Sequence, residues 1–331
     1  MTTIALAQQR KRALHPFVGF VARRFGAGLL VLLVVSMLIF AGLQVLPGDA
    51  ASAVLGRDAT PAALAELRHD MRLDRPLLER YATWLMGLLH GDLGQSATAH
   101  QPVLDLISGR IVNSALLALA TILLLIPLSL FFGIIAATRA GRIPDHVISN
   151  VSLAVIALPE FVTGTLLALV FAVTLKLLPP VSLVLPGQSP LDSPQILVLP
   201  VATLLAASAA QTVRMIRAGM IEVLRSDYVQ MARLNGFNER QVVLRYALRN
   251  ALPPTIQVLA LDVQWLIGGI IVTEYVFGYP GLGQGLAQAV SARDIPLVQS
   301  VALLLAAVFI AINIVADVFV IFLIPKLRTA Q

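Results

Sequence analysis

Six long apolar runs, separated by polar stretches of very unequal length, dominate the pattern of the chain. A helix needs roughly 20 apolar residues to cross a hydrocarbon core of about 30 Å, and each run is close to that length. The six runs are 26–46, 111–137, 147–177, 196–213, 255–277 and 298–324. The third is long enough to need tilt or a kink, for which Pro159 is the natural position. The pattern predicts an all-α membrane protein with six transmembrane helices.

The first run could also be a secretory signal, because Ala51-Ser52-Ala53 resembles a cleavage site. A signal has an apolar core of about 7–15 residues, which is shorter than the run at 26–46. We therefore predict that 26–46 is a retained transmembrane helix (TM1), preceded by an N-terminal segment at 1–25. The other five runs form a transmembrane core at 111–325 (TM2–TM6), followed by a tail at 326–331.

Lysine and arginine residues are concentrated on one side of the six runs. Five precede TM1, two lie in 138–146, seven in 214–253 and two in the tail, so 16 of the 24 basic residues share a side. The stretch 47–110 on the other side has six arginines against eight acidic residues. Cytoplasmic loops carry the excess of Lys and Arg, so both termini and 214–253 are predicted to be cytoplasmic.

The composition supports a membrane protein and excludes other classes. Of the 331 residues, 58% are hydrophobic and 13% are charged, whereas about a quarter of the residues in soluble domains are charged. The net charge of +6 and pI near 10.2 could suggest a nucleic-acid-binding protein. The one-sided distribution of the basic residues explains both values, so no nucleic-acid partner is predicted. The chain has no cysteines, which excludes disulfides and thiolate metal sites.

The stretch 47–110 is too long for a simple connection and has a helical pattern of its own. An apolar run at 77–89 contains Tyr81 and Trp84 and is ended by His90-Gly91. Trp and Tyr at such positions anchor helices at the membrane surface. We predict a small external helical cap.

The stretch 227–254, DYVQMARLNGFNERQVVLRYALRNALPP, is polar and basic although its pattern is helical. Ser226 is predicted to cap a helix at 227–234, which ends at a left-handed Gly236. Asn238 and Gln241 have the spacing of a capping box for a second helix, which Pro253-Pro254 is predicted to end before TM5.

A solvated loop would explain the arginines of 227–254 but not the apolar residues between them. Those residues are Tyr228, Met231, Leu234, Val242, Val243 and Tyr246. An exposed apolar stripe of this kind usually marks a partner, so the stretch is predicted to be a docking surface.

The same stretch resembles the cytoplasmic coupling loop of ABC-transporter permeases in the dipeptide/oligopeptide/nickel importer family. The residues that match the family pattern are Asp227, Tyr228, Val229, Ala232, Gly236, Arg245, Ala247, Leu248, Arg249, Asn250, Ala251 and Pro254. The chain departs from the general pattern at Gln230-Met231, where Glu-Ala is usual, and at Asn235, where Lys is usual. The resemblance implies an ATPase-coupling loop carried by Asp227, Tyr228, Met231, Ala232, Arg233, Gly236, Arg245, Arg249 and Asn250. Ala232 is expected at the closest contact with the ATPase.

Four further stretches are similar to the B-type permeases of this family, so the resemblance extends from about 23 to 328. They are LDRPLLERYATWLMGLLHGDLGQS at 73–96, LPEFVTGTLL at 158–167, TEYVFGYPGLGQGL at 273–286 and NIVADVFVIFLIPKLR at 313–328. The resemblance implies the type I ABC importer permease fold in a bacterial inner membrane. It also implies a second homologous permease subunit, two ATP-binding subunits that hold ATP and Mg, and an external solute-binding protein.

Ionisable residues inside transmembrane runs are costly and are candidates for function. Glu160 follows Pro159, and Asp262 lies in TM5 with Trp265 and Gly269 predicted on the same helical face. Glu160, Asp262 and Trp265 are therefore candidates for the translocation path, although a satisfied contact between helices would equally explain the carboxylates. By resemblance, an external gate or loop is expected at Glu274, Phe277, Pro280, Gly281 and Gly283.

No catalytic or metal site is predicted on this chain. A P-loop requires Gly-Lys-Ser/Thr, and the lysines at 11, 176 and 326 are preceded by Arg, Leu and Pro. An intramembrane hydrolase would need a constellation such as His-Glu-x-x-His, which the five histidines do not form. A stand-alone secondary transporter usually has inverted repeats and needs no docking loop. An importer of dipeptides or oligopeptides is the leading prediction, with nickel, glutathione or another small solute as alternatives.

Overall fold

A computed structural model describes residues 2–45, 55, 60–70, 74–184 and 187–323, and its long elements in these ranges are α-helices. They are α1 (Thr2–Val45), α2 (Pro61–Asp70), α3 (Leu77–Leu89), α4 (Val103–Thr138), α5 (Ile143–Ile156), α6 (Glu160–Leu167), α7 (Gln195–Leu224), α8 (Asp227–Leu234), α9 (Glu239–Gln241), α10 (Leu248–Phe277), α11 (Leu282–Ser291) and α12 (Ile295–Leu323). A π-helical turn at Ala168–Thr174 extends α6, and another at Val242–Ala247 joins α9 to α10. The predicted tail at 326–331 and the stretches 47–54, 56–59 and 71–73 of the predicted cap lie outside the described residues.

Five helices in the described ranges are long and apolar enough to cross a membrane. Their apolar parts are Gly19–Val45, Val103–Thr138, Gln195–Leu224, Thr255–Phe277 and Ile295–Val318. The helices Ile143–Ile156 and Glu160–Thr174, bent by 111° at the break between them, make a sixth span when the pair is counted as one. The kink predicted at Pro159 is therefore a break between two helices. The proline disfavours helical geometry at Leu158 and itself starts the next helix as its N-cap.

Several helices extend well beyond the predicted limits of their spans, and α1 already begins at Thr2, within the predicted N-terminal segment 1–25. The helix α4 starts eight residues earlier than the predicted TM2, and α7 continues for eleven residues beyond the predicted end of TM4 at 213. Hydropathy marks only the part of a helix that lies in lipid, because the polar extensions continue the same backbone hydrogen bonding. The stretch 214–224 is therefore helix and not loop.

The chain divides into two compact units. The first contains Ala115–Tyr279 together with Met1–Arg24 and Ile312–Gln331. Its main apolar core joins α4, α7 and α10 through Leu117, Leu125, Ile196, Leu197, Val201, Leu204, Leu266, Ile270 and Tyr279. A second cluster joins the C-terminal ends of α4 and α7 to the start of α10 through Ala137, Ile216, Met220, Ala247 and Ala251.

The second unit contains Phe25–Ser114 and Pro280–Ala311. Val103, Ile107, Leu282 and Val301 form its buried core. In the predicted cap, α3 packs on α1 through rings: the centroid of Phe40 lies 5.4 Å from that of Tyr81 and 5.9 Å from that of Trp84. The Tyr81 hydroxyl also hydrogen-bonds Ser36 Oγ at 2.8 Å. The two aromatic side chains therefore hold α3 against the first transmembrane helix.

Candidate functional site

The predicted coupling loop is a short helix, a sharp turn and the start of a long helix. α8 spans Asp227–Leu234, and Gly236 after it has a φ of +82°, in the left-handed region. Asn238 Oδ1 accepts from the Gln241 backbone N–H at 2.9 Å, and the Gln241 side chain accepts from the Asn238 N–H at 3.3 Å. The predicted left-handed glycine and capping box are thus both confirmed.

Two local predictions for this loop are wrong. Ser226 occupies the N-cap position, but its hydroxyl donates to the Val223 carbonyl and does not cap α8. Pro253-Pro254 do not end the second helix, because α10 continues through them to Phe277. A helix tolerates the missing N–H groups when neighbouring helices hold it in place, and α10 packs along α7 and α6.

The inner side of α8 is packed against this chain itself. Val229, Ala232 and Val242 form a buried cluster with Val223, Leu224 and Tyr246 around it. Ala232 is only 4% exposed, so it cannot lie at the closest contact with another subunit, and that prediction is wrong. Its small size instead lets α8 approach the second helix of the loop.

The outer side of α8 presents an apolar row, which we call the docking face and define as Tyr228, Met231 and Leu234. These side chains are 44%, 58% and 81% exposed. Their spacing of three places them along one side of the helix. Large apolar side chains exposed side by side in this way usually mark a binding site for a partner.

Polar contacts fix the turn beside the docking face. Arg233 Nε donates to Glu239 Oε1 at 2.8 Å, which ties the end of α8 to α9. Asn250 Nδ2 donates to the Tyr246 carbonyl at 2.8 Å. Arg245 and Arg249 are exposed on the second helix, so they add positive charge to the surface of the loop.

The three candidate path residues have different surroundings. Glu160 Oε1 accepts from Thr273 Oγ1 at 2.7 Å, and a Cβ on Gly269 would lie within 2.7 Å of both carboxylate oxygens. Asp262 is buried and accepts a hydrogen bond from Thr212. Trp265 lies on the same continuous helix, three residues after Asp262 and four before Gly269, and is 80% exposed. Both carboxylates contact a neighbouring helix, and their role in a path stays a prediction.

Four of the five predicted gate residues are buried, and Pro280 is half-buried. Glu274 is 0% and Phe277 1% exposed at the end of α10, and a left-handed Gly278 closes that helix. Gly281 and Gly283 are buried around the start of α11, and the Pro280 carbonyl accepts from Asn113 Nδ2 at 2.9 Å. The stretch is a packed turn, and its function as a gate stays a prediction. Within the described residues, no cluster of three or more His, Asp or Glu is placed to hold a metal ion.

The structure brings together polar residues that the sequence patterns did not single out. Asp145 forms an ion pair with Arg217, which the sequence analysis counted only among the basic residues of 214–253. Asp294 is fully buried beneath Ser96 and Thr98. Asp145 is the only acidic residue in the basic stretch 138–146, and a single acidic residue among basic ones could have indicated an ion pair.

Comparisons with known proteins cover nearly the whole chain. Residues 129–329 match the family described as binding-protein-dependent transport system inner membrane component. Residues 17–130 match the N-terminal domain of such components. The glutathione transport system permease proteins GsiC of Escherichia coli O6:H1 and of Escherichia coli K12 are each 36% identical over 309 residues. The alignments span 93% of this chain and 98% of each relative. GsiC of Shigella flexneri serotype 5b is 35% identical over the same share of both chains.

Proposed function

Because the chain belongs to the family of binding-protein-dependent transport system inner membrane components, we propose that it forms half of the translocation pathway for short peptides. Members of this family are non-catalytic, multi-pass permease subunits of ABC importers, and this chain is one of them. Dipeptides and oligopeptides are the proposed solutes. Glutathione is the second candidate, because relatives at 36% identity carry the name of a glutathione permease. Competition between dipeptides and glutathione for uptake distinguishes the two.

The observation that carries the proposal is the docking face on α8. An amphipathic helix binds a groove with its apolar row, here Tyr228, Met231 and Leu234. The opposite side of α8 is anchored by Val229 and Ala232, so the face is presented on a fixed support. Exposed Arg245 and Arg249 add basic groups that can pair with acidic residues at the rim of such a groove.

The proposed occupant of the docking face is an ATP-binding subunit. The full importer then contains a second homologous permease, two ATP-binding subunits that hold ATP and Mg, and an external solute-binding protein. In this arrangement the chain lies in the inner membrane with both termini and the 214–253 stretch in the cytoplasm. The excess of basic residues in those segments supports this orientation.

Charging the docking face should detach the ATPase. Met231→Glu or Leu234→Glu would bury an unpaired carboxylate in the interface, so binding of the ATP-binding subunits should weaken at least about tenfold. Co-purification of the ATPase and uptake into proteoliposomes measure this effect. Met86 is the matched control, because it is a methionine of the same 58% exposure on α3. Unchanged ATPase binding in both docking-face variants would contradict the proposal.

The orientation is testable because the chain has no cysteines. A cysteine at exposed Gln95 should react with an impermeant maleimide in intact spheroplasts. A cysteine at exposed Arg240 should react only after the membrane is opened. The reverse pattern would place the docking face on the wrong side for an ATPase.

A further inference from the structure

A buried carboxylate joins the turn after α4 to two helices. Asp145, in the first turn of α5, has a side chain only 2% exposed. Its Oδ2 accepts from the Gly141 backbone N–H at 2.8 Å and from Arg217 Nη2 at 2.8 Å. Its Oδ1 accepts from Arg217 Nε and from Ser149 Oγ. The guanidinium therefore grips the carboxylate through two parallel hydrogen bonds, a geometry that resists both sliding and rotation.

Arg217 belongs to the helix that leads directly to the docking face. It lies seven residues before the end of α7 at Leu224, and α8 starts at Asp227. Its neighbour Ile216 is 1% exposed and packs in the cluster with Ala137 and Ala251. Side-chain packing thus holds this part of α7 firmly beside α4 and the start of α10.

The end of α7 is also packed against α8. Val223 and Leu224 contact the buried cluster of Val229, Ala232 and Val242, which lies directly behind the docking face. A force applied to that face therefore reaches α7 through close-packed side chains, which transmit displacement because they are nearly incompressible. α5 receives it at Asp145, and α5 is the helix that ends before the break at Pro159.

We propose that the Asp145–Arg217 pair is a positioning element that makes α5 move with α7 when the ATPase displaces α8. This inference rests on the proposed function. The pair connects the docking face to the broken span that carries Glu160, and it does so through contiguous contacts in one compact unit. In this proposal both residues act through the helices that they join and not on the solute or ATP.

The test uses the complete importer in proteoliposomes and measures the number of ATP molecules hydrolysed per solute taken up. Asp145→Asn and Arg217→Gln should each raise this ratio about tenfold, while the ATPase still co-purifies with the permease. The double variant should be no worse than the more severe single variant, because both remove the same connection. Arg217→Lys keeps the charge but loses the two-bonded grip, so an intermediate ratio is expected.

A purely structural role predicts a different outcome. Misassembly lowers the amount of active complex and reduces ATP hydrolysis and uptake together, so the ratio stays constant. A constant ratio in the three single variants, or failure of all of them to assemble, overturns the proposal. Arg75→Gln is the matched control. Arg75 forms an exposed ion pair of 2.6 Å with Glu79 of α3, and loss of this pair should leave the ratio unchanged. If the unaltered chain does not bind the ATPase, the proposed function itself is overturned.

Discussion

Replacing Asp294 by alanine should destabilise the second unit by about 3 kcal/mol or more, because it leaves several buried donors without an acceptor. The carboxylate is 0% exposed and lies one residue before α12. It accepts from the Thr98 hydroxyl at 2.8 Å and from the Ser96 hydroxyl. Three backbone N–H groups also point at it, those of Ala97, Thr98 and Leu297, each at 3.2 Å.

Loss of this acceptor should be visible as a lower thermal midpoint and as faster proteolysis within 92–102. Asp294→Asn retains the shape and one carbonyl oxygen, so a smaller loss is expected. Asp92 provides the matched control, since it is an exposed aspartate of the same segment whose carboxylate accepts from the Gly94 N–H at 2.8 Å. Equal midpoints for Asp294→Ala and Asp92→Ala would contradict the assigned role.

The same carboxylate should make stability depend on pH in acid. Burial raises the pKa of Asp294, but the hydrogen bonds from Ser96, Thr98 and the amides of Leu297 and Ala97 outweigh it and hold the pKa below 3.8. The unfolded chain therefore takes up the proton first. The stabilisation is fully present above pH 3.8 and is lost as the pH falls through the lower pKa of the folded state. The difference in thermal midpoint between wild type and Asp294→Asn should shrink below that pH.

The local structure of the coupling loop was predictable because each signal depends on neighbours in sequence. A left-handed glycine and a capping box need only the backbone within four residues, and both occur as predicted at Gly236 and Asn238. The inner and outer sides of α8 were not predictable in the same way. Ala232 faces inward because Val242 and the end of α7 lie on that side, and no local rule places them there.

Polar residues inside the spans were identified by their cost, but their partners were not. Glu160 meets Thr273 across 113 positions, and Asp262 meets Thr212 across 50. The sequence indicates that a carboxylate inside a span needs a hydrogen-bond partner. The packing of α6 and α7 against α10 decides which residue is that partner. The continuation of α10 through Pro253-Pro254 has the same origin, because helix packing overrides a local cost of about 3 kcal/mol.

The two glycines of α4 that face different surroundings cannot be distinguished from hydropathy. A Cβ on Gly133 would lie 2.6 Å from Ile216 Cγ2, 2.7 Å from Ile216 Cβ and 3.3 Å from the Val213 carbonyl oxygen. A Cβ on Gly109 would meet nothing within 4 Å. Gly133 is the centre of a row of small residues, with Ser129 four positions before it and Ala137 four after, all buried. Such a row lets two helices in a membrane approach closely.

Gly133→Ala should therefore destabilise the first unit by about 1–3 kcal/mol, and Gly133→Leu should prevent stable packing of α4 on α7. Ile216 cannot yield easily, because the two nearest atoms are close to its backbone and its side chain is buried. Gly109→Ala is the control on the same helix, and it should be neutral or stabilising by up to about 1 kcal/mol. Thermal unfolding in detergent and the yield of inserted protein measure the difference. Since α7 carries Arg217 next to Ile216, uptake should also fall in Gly133→Ala, and equal stability of the two alanine variants would show that α4 and α7 do not approach as closely as described.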